Sequence, residues 1–267
     1  MSSNSKQIDF NGKKLFYRII GTGKPVILIH GFGETGEVWN QQADFLSGSY
    51  RILIPDLPGS GRSEAVEDMS MENLAESVHA IIHEEEIDAC PVIGHSMGGY
   101  VALALAEKYY NHISALGLFH SSAYADSAEK KETRRKGIGF IRQHGAFEFF
   151  QSTSPNLFSK HTKEHSPELV KTFIDSLQSF EPGPLIAYYE GMMARPDRTS
   201  VLRNLQVPML FVIGEFDAAV SPDDSLQQSY IPSVSYVHLL KHSAHMGMLE
   251  EKDISNAILK EFLGGVK

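Results

Sequence analysis

Short apolar runs recur along the chain and alternate with longer segments of helical periodicity. The six runs read PVILIH, RILIP, PVIGH, ALGLFH, MLFVIG and SYVHLL, and they begin at Pro25, Arg51, Pro91, Ala115, Met209 and Ser235. Short runs that are apolar on both faces are typical of parallel strands covered by crossover helices. Helices are predicted between them, including Met71 to Glu86 and Gly98 to Tyr109. The alternation predicts an α/β fold, a mostly parallel sheet flanked by helices.

The two ends of this pattern differ from its middle. Near the start, KQIDF and KKLFYRII flank Asn11-Gly12, a residue pair favoured in tight hairpin turns, so an antiparallel edge and about eight strands are predicted. Between Ser122 and Pro208 no convincing strand occurs, and helical runs are predicted near 127–143, 167–178 and 185–194. We therefore predict a core domain formed by residues 1–122 and 200–267, interrupted by a helical lid at residues 123–199.

The composition narrows the range of partners. The chain has 24 Lys and Arg against 33 Asp and Glu, for a formal net charge of -9, whereas nucleic-acid binding requires clustered basic residues. The one short basic run, Lys130 to Arg135, is interrupted by Glu132, and we expect it to form a solvated helix face. No apolar stretch approaches the roughly 18 residues of a membrane span. We expect neither nucleic acid nor a membrane as a partner, and the oligomeric state stays open.

The single cysteine, Cys90, cannot form an internal disulfide. It has no positively charged neighbour in sequence that would lower its pKa, so we expect a buried structural thiol. The first residues, MSSNSKQIDF, lack the basic flank and apolar run of a secretory signal. These features predict a cytoplasmic protein.

One serine stands in a distinctive setting. In VIGHSMGGYV, an apolar run ends at Ser96, which Gly94 and Gly98 flank in a G-x-S-x-G pattern between a predicted strand and a predicted helix. A serine on such a sharp turn adopts a strained backbone conformation, and only residues without Cβ leave room beside it. The turn would expose the hydroxyl of Ser96 and aim the first amides of the following helix at the same point.

With this motif and three others, the chain resembles the lid-bearing serine hydrolases of the α/β-hydrolase superfamily. The resemblance implies that Ser96 is the nucleophile and that the Met97 amide is one oxyanion donor. His30-Gly31-Phe32-Gly33, directly after VILI, is similar to the family's second oxyanion loop, which implies the Phe32 amide as the other donor. The third motif, DLPGSGRS from Asp56 to Ser63, implies a structural loop in which Asp56 bonds turn amides.

The fourth match is the order serine, acid, histidine that this fold uses. Asp217 follows the run MLFVI and His245 follows YVHLL, so both are expected on loops at the same sheet edge as Ser96. Alternatives for the acid are Glu215, Asp223 and Asp224, and the alternative for the histidine is His242. Ala244 stands where the family usually has glycine before this histidine, which is a departure from the pattern.

The resemblance implies a serine hydrolase that cleaves a small carboxylic ester or lactone through an acyl-enzyme, with no cofactor. No metal site is expected, because the pairs HTKEH and HAIIH offer no third ligand. The alternatives are a carbon–carbon bond hydrolase, whose members more often have Asn in place of His95, a cofactor-free perhydrolase and a ligand receptor. Apolar lid residues are expected to contact the substrate: Phe147, Phe150, Tyr188 and Met192.

Overall fold

The computed structural model describes residues 4–266, which contain one eight-stranded sheet in the order β1-β2-β4-β3-β5-β6-β7-β8. The strands are β1 (Asn4–Phe10), β2 (Lys13–Ile20), β3 (Lys24–Ile29), β4 (Tyr50–Pro55), β5 (Cys90–His95), β6 (Ile113–Phe119), β7 (Met209–Gly214) and β8 (Ser235–Leu240). Strand β2 pairs antiparallel with both β1 and β4, and every other pairing is parallel. The predicted α/β fold, its hairpin at Asn11-Gly12 and its mostly parallel sheet are confirmed.

The helices cover both faces of this sheet. They are α1 (Asn40–Leu46), α2 (Met71–Glu84), α3 (Met97–Lys108), α4 (Ala128–His144), α5 (Ala146–Thr153), α6 (Lys160–His165), α7 (Pro167–Asp175), α8 (Pro182–Ala194), α9 (Thr199–Asn204), α10 (Pro222–Ser229), α11 (Gly247–Glu250) and α12 (Lys252–Gly265). Short 3₁₀ turns occupy Gly36–Trp39, Tyr110–His112 and Ser154–Leu157. Helices α4 to α8 occupy the chain between β6 and β7, where the sequence predicts a helical insertion.

Successive residues of each buried strand point to opposite sides of the sheet. In β3, Ile27 and Ile29 join the apolar core that includes α2 and α3, whereas Val26 and Leu28 join the core that includes α1 and α12. Cys90 at the start of β5 is buried, and burial raises the pKa of its thiol to about 12. This thiol is therefore protonated and unreactive at neutral pH, as the sequence predicts.

Strand β8 differs from the sequence prediction. Its run SYVHLL was expected to be covered on both faces, yet Tyr236, Val237 and Leu239 are exposed. The reason is its place in the sheet, because β8 is an edge strand that pairs only with β7 among the described strands. None of the helices in the described part of the chain combines the length and the hydropathy that a bilayer crossing requires.

Candidate active site

Ser96 lies on the sharp turn between β5 and α3. Its backbone has φ 51° and ψ −117°, a strained conformation for a residue with a side chain. The flanking glycines are required by close approach, since a Cβ atom at Gly94 would collide with the Gly98 carbonyl group. A Cβ atom at Gly98 would collide with the carbonyl oxygens of Ile29 and His30. The G-x-S-x-G pattern therefore corresponds to a turn that only these glycines allow.

Two side chains from other loops extend a hydrogen-bonded chain from the Ser96 hydroxyl. His245, on the loop after β8, has Nε2 2.9 Å from Ser96 Oγ. Its Nδ1 lies 2.8 Å from Oδ2 of Asp217, on the loop after β7. Both loops leave the carboxyl ends of parallel strands, so the three residues meet at one edge of the sheet. His242 is exposed, and Glu215 is exposed as well.

The Asp217 carboxylate receives four hydrogen bonds. Oδ2 accepts from His245 and, at 3.2 Å, from Nδ1 of His120, while Oδ1 accepts from the backbone amides of Ala219 and Val220 at 2.8 and 2.9 Å. Burial acts to raise the pKa of Asp217, but the His245 charge and the bonds from both imidazoles outweigh it and hold that pKa well below its usual range. Asp217 is therefore ionised at neutral pH.

His245 is buried, and opposing effects act on the pKa of its imidazole. Burial lowers the pKa of His245, whereas the charge of the Asp217 carboxylate and its hydrogen bond raise it, and the net shift is upward from 6.5. A carboxylate on Nδ1 also fixes the tautomer, leaving Nε2 free to accept the Ser96 proton. The arrangement suits a histidine that alternates between the neutral and charged forms during proton transfer.

Two backbone amides lie at the positions predicted for oxyanion donors. Met97 is the first residue of α3, and the first amides of a helix have no acceptor within it. In the loop after β3, the Gly31 amide donates to Oε2 of Glu34 at 2.6 Å, whereas no acceptor among residues 4–266 takes the Phe32 amide. Both amides are therefore available for a ligand oxygen.

A second buried acid–histidine pair supports this loop. Glu34 Oε2 lies 3.0 Å from Nδ1 of His95, whose Nε2 donates to the backbone carbonyl of His245 at 3.0 Å. Burial acts to raise the pKa of Glu34, but the His95 charge and the hydrogen bonds to the carboxylate lower it overall. One carboxylate thus links the Phe32 loop to the loop that carries His245. Sequence reasoning missed Glu34, although its position one residue after HGFG is a visible signal.

Further hydrogen bonds fix the loop after β3, which carries Phe32, against the loop after β4. His30 Nδ1 donates to the Gly31 carbonyl at 2.8 Å, and its Nε2 accepts from the Leu57 amide at 2.9 Å. Asp56 accepts from the amides of Gly36 and Arg62 at 2.8 and 3.0 Å. Asp56 therefore bonds turn amides, as predicted, and the loops after β3 and β4 are tied together.

Ser96 and His245 open into a cavity of about 480 Å³ between the sheet edge and the inserted helices. One part of its lining is apolar: Phe32, Leu157, Tyr189, Met192 and Val220. The Phe32 and Tyr189 rings stack with centroids 4.3 Å apart and an interplanar angle of 9°. The cavity therefore brings the Ser96 hydroxyl, the His245 imidazole and Phe32 together with apolar side chains, as in small-molecule sites.

Comparison with known proteins identifies the family of this chain. Residues 24–137 match the sequence profile of the alpha/beta hydrolase fold family. The pimeloyl-[acyl-carrier protein] methyl ester esterase of Aeromonas hydrophila is 30% identical in an alignment of 254 residues that covers 91% of this chain and 97% of that protein. The chain belongs to the α/β-hydrolase family.

Two further relatives of this α/β-hydrolase are enzymes of related types. A thermophilic esterase from Thermogutta terrifontis has a TM-score of 0.92 at 29% identity, covering 98% of this chain and 99% of its own. The 3-oxoadipate enol-lactonase 1 of Acinetobacter baylyi is 24% identical, covering 96% of this chain and 95% of that protein. The chain is accordingly a hydrolase of the esterase and lactonase type.

The predicted lid contacts divide into two groups. Met192 lines the cavity of the α/β-hydrolase, whereas Phe147, Phe150 and Tyr188 lie outside its lining. Phe150 packs against Phe32 and Phe180, with centroids 6.4 and 5.6 Å apart. Tyr188 donates to the Pro58 carbonyl at 2.5 Å and so fastens α8 to the loop after β4. The sequence analysis missed Tyr189, which follows Tyr188 and faces the cavity.

The basic run also departs from the prediction. Lys130 and Arg134 line the cavity together with Thr133, so the expectation of a solvated face is wrong for this side of α4. Glu132 and Arg135 are exposed as expected. The difference arises because α4 places one polar face over the Ser96 site, and a polar pattern does not distinguish a helix face that lines a cavity from one in bulk solvent.

His120, Asp217 and His245 form the one group of three metal-ligand side chains that lies within 4.8 Å in residues 4–266. Each imidazole directs Nδ1 at the Asp217 carboxylate, so hydrogen bonding accounts for their convergence. His120 Nε2 is buried without a partner in the described residues, which assigns its proton to Nδ1. His120 therefore acts as a neutral donor to Asp217, and burial lowers its pKa overall.

The pH dependence of activity follows from His245. Because its pKa is raised above 6.5 and it must be neutral to accept a proton, kcat/KM is expected to fall as pH drops through a pKa above that value. Below that pKa, kcat/KM should keep falling as a larger fraction of the imidazole becomes charged. Hydrolysis of an aryl ester measured from about pH 5 to 9 checks this expectation. A flat profile over that range would contradict the role of His245 as base.

Proposed function

We propose that this α/β-hydrolase cleaves small carboxylic esters or lactones through an acyl-enzyme on Ser96, without a cofactor. The observation that carries the proposal is the continuous series of hydrogen bonds from Ser96 through His245 to ionised Asp217, at a cavity that Ser96 and His245 line. A serine hydroxyl is a weak nucleophile until an adjacent base removes its proton, and His245 is placed to act as that base. The esterase and lactonase relatives support the same reaction class.

In the first half of the proposed reaction, Ser96 Oγ attacks the carbonyl carbon while its proton passes to His245 Nε2. The carbonyl oxygen becomes an oxyanion, which accepts hydrogen bonds from the Phe32 and Met97 amides. Asp217 stabilises the imidazolium through Nδ1. The bond to the leaving oxygen then breaks, and His245 donates the proton to that oxygen, releasing an alcohol or opening the lactone ring.

In the second half, water replaces the alcohol. His245 accepts a proton from water, which attacks the acyl carbon of the Ser96 ester. Collapse of the second oxyanion breaks the bond to Oγ, and the proton returns to Ser96. The products are a carboxylic acid and regenerated enzyme.

The experiment that tests this proposal is a chain-length series of aryl esters and lactones with active-site titration. An enzyme should cycle with kcat of roughly 1 to 10³ per second on a suitable substrate, after an acylation burst that matches the Ser96 content. A single slow reaction per chain would favour a ligand receptor. Turnover restricted to carbon–carbon bond cleavage or peracid formation would favour those alternatives.

We also propose that residues 123–199 form a lid that determines which acyl chain lengths the enzyme accepts. Met192 on α8 lines the cavity, so Met192→Ala should change the ratio of kcat/KM between short and long acyl esters by about 10-fold or more, because one or two methylenes are worth ~1 to 3 kcal/mol. Phe147→Ala is the matched control, because Phe147 lies on the same lid outside the cavity lining. Equal chain-length profiles in Met192→Ala and wild type would assign specificity to the core loops.

A further inference from the structure

One wall of the Ser96 cavity is polar and comes from the first two turns of α4. Its residues are Ser127, Glu129, Lys130, Thr133 and Arg134. An apolar wall, formed by Phe32, Tyr189 and Met192, adjoins it, since the Arg134 guanidinium lies 5.4 Å from the centre of the Tyr189 ring. A substrate that fills the cavity therefore meets both apolar surface and charged side chains.

The charges on this wall are not equivalent. Arg134 is held by Asp126, with Nε 2.6 Å from Oδ2, and the same carboxylate lies 2.9 Å from Nη1 of Arg195. Lys130 is half-buried, and no carboxylate in the described part of the chain pairs with its ammonium group. Lys130 therefore presents a charge to the cavity that the protein itself does not neutralise.

The two carboxylates that line the cavity, Glu34 and Glu129, do not neutralise the charge of Lys130. Glu34 is buried, and its carboxylate is already bonded to His95 and to the Gly31 amide. Glu129 is exposed in the first turn of α4, where solvent screens its charge. Lys130 is close enough to the reacting centre that its charge acts to lower the pKa of His245. The Lys130 cation thus lines the same cavity as the Ser96 hydroxyl.

We infer that the natural substrate carries a carboxylate group, which pairs with Lys130 while its ester or lactone carbonyl reaches Ser96. This inference rests on the proposed function and names the substrate class of that site. A partly desolvated ammonium without a partner is unfavourable, and a substrate anion would supply hydrogen bonds of the charge-assisted type. The apolar wall would hold the carbon chain between the carboxylate and the reacting carbonyl.

The test compares esters that differ only in charge. One pair consists of the para-nitrophenyl half-ester of glutarate and its amide-capped counterpart; a second pair, butyryl esters of glycolate and glycolamide, carries the anion on the alcohol side. Lys130→Met should lower the charged-to-neutral ratio of kcat/KM by about 10- to 100-fold in at least one pair. Lys130→Arg should retain most of the preference. Lys131→Met is the matched control, since Lys131 carries the same charge outside the cavity lining, and its ratios should equal those of wild type.

The outcomes separate this inference from the proposed function. Unchanged ratios in both pairs for Lys130→Met, with neutral esters still hydrolysed at Ser96, would overturn the inference and leave the proposed function standing. Failure of Ser96 to react would instead overturn the proposed function. A second readout needs no turnover: glutarate should slow fluorophosphonate labelling of Ser96 at lower concentration than glutaramide does. Loss of this difference in Lys130→Met supports the inference, and its persistence contradicts it.

Discussion

Replacement of Ser96 by alanine is expected to lower kcat for ester hydrolysis by about 10⁴- to 10⁶-fold. The change removes the only hydroxyl that His245 Nε2 contacts among the described residues, while alanine keeps the Cβ that the turn already accommodates. The fold should therefore persist, and circular dichroism with thermal unfolding would verify it. Steady-state kinetics on an aryl ester measures the effect.

The control for this substitution is Ser152→Ala, which removes an exposed hydroxyl from α5, away from the cavity. Its kcat should equal that of the wild type. A Ser96→Ala protein that retains more than a small fraction of wild-type kcat would show that another group attacks the ester.

Replacement of Asp217 by asparagine is expected to lower kcat by about 10⁴-fold and to move the acid limb of the pH profile to lower pH. The carboxylate raises the pKa of His245, so its loss lowers that pKa and leaves the imidazole neutral at lower pH. An amide also favours the wrong tautomer by offering an N–H donor to Nδ1. The kinetic loss and the shifted limb together distinguish a carboxylate on His245 from a purely structural residue.

Glu215→Gln provides the matched control, since Glu215 lies two residues away and is exposed. Its pH profile should match that of the wild type. If Glu215→Gln showed the larger loss, the acid assignment would move to Glu215.

The strands and the relation of Ser96, Asp217 and His245 could be anticipated from sequence for a physical reason. Parallel strands place their carboxyl ends at one sheet edge, so residues directly after β5, β7 and β8 must lie near one another. The pattern could not separate His245 from His242, because both follow β8 on the same loop. Tertiary contacts determine which histidine faces Ser96. The His242 amide donates to the Glu251 carboxylate at 2.9 Å, and the His242 side chain is exposed.

The lid contacts could not be assigned from sequence, because adjacent aromatic residues of a helix face different surroundings. Tyr188 points to the loop after β4, whereas Tyr189 stacks on Phe32. The position of Lys130 could not be predicted for a related reason, since polar periodicity is the same for a helix face in bulk water and for one that lines a cavity. The Glu34–His95 pair has no periodic signature, because a buried hydrogen-bonded pair depends on contacts between distant segments.

Near the carboxyl end of the sequence, helix α12 could be predicted from its residue spacing, whereas the exposure of β8 could not. Helix α12 buries four apolar residues at helical spacing, a pattern that indicates a helix in the sequence: Ile258, Leu259, Phe262 and Leu263. The exposure of β8 depends on strand order, because the edge strands β1 and β8 carry exposed side chains whereas the central strands β5 and β7 are buried. Composition alone does not encode strand order.

The central claim is that Ser96 is the nucleophile of this α/β-hydrolase. Its most direct test is peptide mapping by mass spectrometry after reaction of the wild-type protein with a fluorophosphonate, which reacts with activated serines. We expect one adduct per chain, located on the peptide that contains Ser96, and no adduct in the Ser96→Ala protein. An adduct on a different residue, or labelling of Ser96→Ala to the same extent as wild type, would contradict the account.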